Sequence, residues 1–82
     1  MTNKQLLKIL QSQQNRLLNS KGYSFYLSST NSENTGIHFI IWIHDSNKNQ
    51  EIVFTNLFNI RDSSLTIKLI KLREFIDGLL NN

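Results

Sequence analysis

The longest uninterrupted apolar segment of the chain is Phe39–Ile43. Five residues cannot span a bilayer, which takes about 20 residues in a helix. Polar segments at 29–35 and 45–50 flank the run closely, which is typical of a strand held between two turns. We therefore predict a strand from about Ile37 to His44 that carries apolar side chains on both faces.

A strand is predicted on either side of this one. Residues 23–28 alternate, with Tyr23, Phe25 and Leu27 on one face and Ser24, Tyr26 and Ser28 on the other. A third strand is expected from about Glu51 to Asn56. Two hairpins in succession make an antiparallel meander of three strands.

Amphipathic helices are predicted at both ends of the chain. Residues 3–21 place leucines at helical spacing, namely Leu6, Leu7, Leu10, Leu17 and Leu18. Thr2 or Asn3 can cap this helix, and Gly22 suits its C-terminus. A second helix starts within Arg61–Ser64 and runs to about Leu80, with its apolar stripe at Leu65, Leu69, Leu72, Ile76 and Leu79.

The order α-β-β-β-α predicts a single α+β domain over residues 1–82. Both helices are expected on one face of the sheet, because a meander with a helix at each end is most simply covered in this way. The core face of the sheet is predicted to contain Phe25, Leu27, Ile37, Phe39, Ile41, Ile43, Ile52 and Phe54. The other face of the sheet is left open.

The composition excludes several classes of protein. The absence of Cys excludes disulfide scaffolds, thiolate nucleophiles and cysteine-ligated zinc. We expect a cytoplasmic protein, since a small secreted domain would normally carry disulfides, and no signal-peptide core is recognised near Lys4 and Lys8. The lack of Ala and Pro and the abundance of Asn, Ile and Lys indicate an AT-rich gene, as in low-GC bacteria, phages and other mobile elements.

Catalytic patterns are weak in this sequence. His38 and His44 are six positions apart, which separates them by about 20 Å along a strand and is too far for a shared metal ion. The carboxylates show no metal-binding or acid–base spacing, and the three glycines form no phosphate-binding loop. We therefore expect no enzyme, no cofactor, no metal and no small-molecule substrate.

The open face of the sheet is the leading candidate for function. Tyr26, Ile40, Trp42 and Val53 are predicted to lie on it, where a fully solvated face would be polar. Another part of the chain, a protein partner or stacked nucleic-acid bases could cover them. A homodimer or another protein contact is favoured first, and base stacking last, because the predicted strands carry almost no positive charge.

The last helix adds residues to the predicted protein interface and to the nucleic-acid alternative. Ile67 and Ile70 lie away from its main apolar stripe and are included in the predicted protein interface. The net charge of +3 permits nucleic-acid binding as the alternative. The candidates for phosphate contact are Lys4, Lys8, Arg16, Lys21, Lys68, Lys71 and Arg73.

Two known families resemble this chain in part. The element order is similar to that of the double-stranded RNA-binding domain, and Gly36-Ile37-His38 resembles the start of its second strand, but the last helix lacks the family's Lys- and Ala-rich opening. Lys21–Ser32 and Ile40–Asn49 resemble the first two strands and the polar loops of a family of small phage anti-CRISPR proteins, which inhibit a CRISPR nuclease. Because those inhibitors mimic DNA through acidic residues, the +3 charge of this chain excludes the same mechanism.

The sequence thus predicts a protein that works through its surfaces. We expect a small, non-enzymatic protein-interaction module, either a homodimer or bound to a protein target, that acts as an inhibitor or accessory regulator. Nucleic-acid binding at the basic helical surface is the alternative, and no membrane partner is expected.

Overall fold

The computed structural model describes residues 1–81, in which the elements follow the order α-β-β-β-α. Helix α1 spans Asn3–Lys21 and helix α2 spans Asp62–Asn81. Between the helices lie β1 (Tyr23–Ser32), β2 (Gly36–Asp45) and β3 (Gln50–Ile60). The α+β fold predicted from the sequence is confirmed.

Local interactions fix both ends of α1. The hydroxyl of Thr2 accepts a hydrogen bond from the Gln5 amide, and the Gln5 side chain accepts one from the Thr2 amide. This capping box satisfies two amides that the first helical turn would leave unpaired. At the other end Gly22 is left-handed, with φ 70°, and the Asn47 side chain donates to the Lys21 carbonyl at 3.1 Å.

The three strands form one antiparallel sheet in the order β1-β2-β3. Pairing between β1 and β2 is regular from Tyr23 opposite Asp45 to Ser32 opposite Gly36. Strand β1 continues to Ser32 through residues 29–32, which were predicted as loop, because backbone pairing does not require apolar side chains. β3 carries an extra residue at two points, one near each of its ends.

Both helices pack on one face of the sheet, as predicted. The buried residues of β2 on that face are Ile37, Phe39, Ile41 and Ile43. They form one core with side chains from the helices, namely Leu6, Leu10, Leu17, Leu65, Leu69, Leu72 and Ile76. The thinnest dimension of the molecule is 16 Å, which is about the thickness of one helix layer on one sheet. Within residues 1–81, the opposite face of the sheet is therefore without a covering layer.

The predicted facing of Val53 and Phe54 on β3 is wrong. Phe54 was expected in the core and Val53 on the open face. Val53 instead pairs with Ile43 and faces the helices, whereas Phe54 pairs with Trp42 and faces solvent. The extra residue near the start of β3 causes this reversal, because a shift of one residue moves every side chain to the other face.

The apolar stripe of α1 also differs from prediction. Leu18 was expected on it and is 56% exposed, whereas Gln13 is buried. Gln13 lies three positions after Leu10 and four before Leu17, so it shares their side of the helix. Its amide nitrogen donates to Asp77 Oδ1 on α2, and its buried Oε1 has no hydrogen-bond partner among the described residues.

Candidate interaction surface

A row of three aromatic side chains crosses the open face of the sheet. Tyr26 on β1 pairs with Trp42 on β2, and Trp42 pairs with Phe54 on β3. Tyr26 and Phe54 are 53% and 57% exposed, and Trp42 is half-buried between them. Cross-strand neighbours lie about 5 Å apart, so the row is continuous across the sheet. We call this surface the aromatic face; it comprises Tyr26, His38, Ile40, Trp42, His44, Phe54 and Phe58.

Two stacked pairs flank the row. The His38 ring stacks on Phe58, with centroids 4.2 Å apart and an interplanar angle of 9°. Its Nε2 lies 2.8 Å from Asn56 Oδ1. The His44 ring stacks on Trp42 at 5.4 Å. These contacts restrict the rotamers of the side chains that make them.

The structure brings together three of the four sheet residues predicted as an interface. Tyr26, Ile40 and Trp42 share the aromatic face, because β1 and β2 pair without interruption. Val53 does not belong to it, since it faces the helices. Phe54 was predicted in the core, and Phe58 lies beyond the predicted end of the third strand, so the sequence placed neither on this face. No residue type in the sequence marks the extra residue that turns Phe54 outward.

The aromatic face carries little charge. The nine Lys and Arg side chains all lie outside the strands. The strands hold two carboxylates: Glu51 is exposed opposite His44, and Asp45 is buried, where it accepts hydrogen bonds from the amides of Asn47 and Lys48. This surface therefore offers no cation to a phosphate group and presents little charge that would repel a second copy.

The isoleucines predicted to extend the interface lie elsewhere. Ile67 and Ile70 are 55% and 43% exposed on α2. Because α2 covers the other side of the sheet, these residues lie across the molecule from the aromatic face. They do not form one surface with Trp42.

The basic residues predicted to bind nucleic acid are spread over the helix layer. Those on α1 are Lys4, Lys8, Arg16 and Lys21, and those on α2 are Lys68, Lys71 and Arg73. Lys4 and Lys21 are 17 positions apart, which is about 25 Å along a helix. Arg73 is half-buried, with its guanidinium 3.9 Å from Met1 Sδ. The seven side chains do not form one compact patch.

The described part of the chain offers little for other classes of site. Within residues 1–81, no three side chains among His, Asp and Glu come together as metal ligands would. Over the same residues, neither helix has the length and apolar character that crossing a membrane requires.

No protein-family model, curated protein or solved structure matches this chain. The resemblances to the double-stranded RNA-binding domain and to anti-CRISPR proteins therefore stay predictions.

Proposed function

We propose that this chain is a protein-interaction module that binds through its aromatic face, and that a second copy of the chain is its first partner. The observation that carries this proposal is the row Tyr26–Trp42–Phe54, exposed on a side of the sheet that no other described element covers. The largest apolar patch on a protein surface is often functional, and the buried centres of interfaces are enriched in Tyr, Trp and Phe. Such a module acts as an inhibitor or accessory regulator by occupying a surface.

The charge distribution favours a second copy as the partner. Two chains of charge +3 would repel each other if their cations met. Because all Lys and Arg side chains lie outside the strands, two sheets packed face to face keep these cations away from the interface.

The aromatic row is also suited to two-fold symmetry. An axis parallel to β2, lying between the two sheets, would place Trp42 against Trp42 of the partner subunit. The same axis would place Tyr26 against Phe54 of the partner subunit. One surface patch then serves both protomers, as in most symmetric dimers.

The size of the sheet sets the expected strength of the dimer. Three strands about 4.8 Å apart, with ten residues rising about 3.3 Å each, give a footprint of roughly 14 × 33 Å. This footprint is smaller than the roughly 800 Å² of surface that each partner buries in a standard interface. We therefore expect a weak dimer, with a dissociation constant of about 1–100 μM.

Sedimentation velocity over a range of protein concentrations tests this proposal. The wild-type chain is expected to shift from monomer to dimer with concentration, and Trp42→Ser to weaken the dimer by on the order of tenfold or more, because a central aromatic side chain is removed. Ile67→Ser is the matched control, since it removes an exposed apolar side chain on the far side of the molecule. Circular dichroism confirms that both variants are folded.

Two results would contradict the proposal. One is a wild-type chain that stays monomeric at the highest concentration. The other is a dimer that Trp42→Ser and Ile67→Ser affect equally, which would place the interface elsewhere.

A further inference from the structure

A groove lies on the other side of the sheet, between α2 and β3. Its volume is about 210 Å³, and it is lined by Phe39, Ile41, Val53, Thr55, Lys68, Lys71, Leu72 and Phe75. The groove exists because two helices cover three strands. Since α1 packs against β1 and against α2, the core-facing residues of β3 remain half-buried.

The strand that borders the groove has an unpaired edge. β3 is the last strand of the sheet, and none of the described residues forms a strand along its outer edge. Between its two irregularities it runs regularly over 53–57, without a charged residue or a proline. Charges, prolines and β-bulges are usual devices that prevent pairing at such an edge. On β3 the two bulges flank residues 53–57 and leave them regular.

The opposite edge of the sheet is different. On β1 the carbonyl of Phe25 accepts a hydrogen bond of 2.8 Å from the Gln14 side chain of α1. Helix α1 therefore covers part of that edge. Of the two edges, β3 is the one that borders the groove.

The lining of the groove indicates what such a strand would carry. A volume of 210 Å³ is below the roughly 300–1,000 Å³ of small-molecule sites and suits a single side chain better than a whole ligand. The groove is mostly apolar, so that side chain is apolar. Lys68 and Lys71 are exposed at its border and would attract carboxylates.

We propose that an extended acidic segment of a partner protein pairs with the edge of β3 as a fourth strand. An added strand lies about 4.8 Å from its neighbour, and every second side chain points to the same face. One apolar side chain of the segment enters the groove, and acidic side chains two positions before and after it approach Lys68 and Lys71. The site lies across the sheet from the aromatic face and does not depend on the proposed dimer.

Synthetic peptides of seven residues test this proposal by NMR titration of the labelled protein. In the acidic peptide, positions 2, 4 and 6 are Glu, Leu and Glu, and the other positions are Ser or Thr. We expect amide shifts to concentrate at 53–57 and along Lys68–Phe75. A peptide with Lys in place of both Glu residues should bind about tenfold more weakly or worse, because two ion pairs become two repulsions.

Backbone methylation separates strand pairing from simple charge attraction. In an extended peptide, alternate amides point to opposite edges. Methylation of the amides on the edge that faces β3 is expected to abolish binding, because it blocks strand pairing. Methylation of the amides on the other edge should leave binding intact. Equal binding by both methylated peptides, or shifts confined to the aromatic face, would overturn the proposal.

Protein variants test the role of the two lysines. The double variant Lys68→Glu/Lys71→Glu should weaken binding of the acidic peptide by about tenfold or more. The control Lys4→Glu/Lys8→Glu changes the net charge equally, at exposed positions of α1. Equal losses in the two variants, or no binding of the acidic peptide to the wild-type chain at millimolar concentration, would rule out this site.

Discussion

At the scale of single residues, two glycines in this chain have opposite effects on stability. Gly36 begins β2 with φ 70°, and a Cβ there would overlap Asn59 Oδ1 and lie 3.3 Å from Asn59 Cα. Gly78 lies inside α2, where an added Cβ would meet nothing within 4 Å. Gly36 is required by its left-handed backbone and by the lack of space beside Asn59. Gly78 meets neither requirement and lowers the stability of α2.

Alanine at these two positions should change stability in opposite directions. Gly36→Ala is expected to lower the free energy of unfolding by about 1–3 kcal/mol, because the left-handed backbone and the close approach of Asn59 both oppose a side chain. Gly78→Ala is expected to raise it by about 0.5–1 kcal/mol through helix propensity. Urea unfolding monitored by circular dichroism measures both, and a change of the same sign in both would contradict the local structures described.

At the scale of whole elements, pairing in the sheet decides which faces could be predicted. The facing of β1 follows from alternation, and in β2 His38 and His44 mark the open face at the two ends of the apolar run. Because the pairing of these strands is regular, Tyr26 and Trp42 could be placed correctly. In β3 the apolar residues 52–54 are consecutive, so alternation favours neither face. The extra residue near its start sets the facing, and no residue type in the sequence marks it. Phe54 therefore entered the candidate surface only with the structure.

The contact between α1 and α2 includes a polar pair, in which Gln13 is buried and Asp77 is half-buried. Gln13 donates to Asp77, while its Oε1 has no partner among the described residues. Asp77→Ala leaves both ends of the buried amide unpaired and should cost about 1–3 kcal/mol of unfolding free energy. In the Gln13→Leu background, Asp77→Ala leaves no buried amide unpaired and should therefore lower the free energy of unfolding by less.

A double-mutant cycle in urea isolates this interaction from the change in helix propensity. We expect a coupling free energy of about 1 kcal/mol or more between positions 13 and 77. Additive effects of the two substitutions would show that the pair contributes nothing to helix packing. Circular dichroism at low temperature verifies that each variant retains its helices.

At the scale of the whole molecule, the two sides of the sheet differ in chemistry. The aromatic face has no Lys or Arg, whereas seven of the nine cations lie on the helices of the other side. A protein partner at the aromatic face and nucleic acid at the helix layer would therefore use opposite surfaces. Burial of apolar surface is not screened by salt, whereas contact with phosphates releases counterions and weakens steeply as salt rises.

The salt dependence of association separates these two functions. We expect the dissociation constant of the dimer to change less than about threefold between roughly 50 and 500 mM NaCl, because the strands that form the interface hold no cation. Sedimentation velocity at both salt concentrations measures this, and the ratio of absorbance at 260 and 280 nm reports any nucleic acid carried through purification. A monomer that carries nucleic acid at low salt and releases it as salt rises would contradict the dimer. That result would instead assign phosphate contact to the helix layer, starting with Lys68, Lys71 and Arg73.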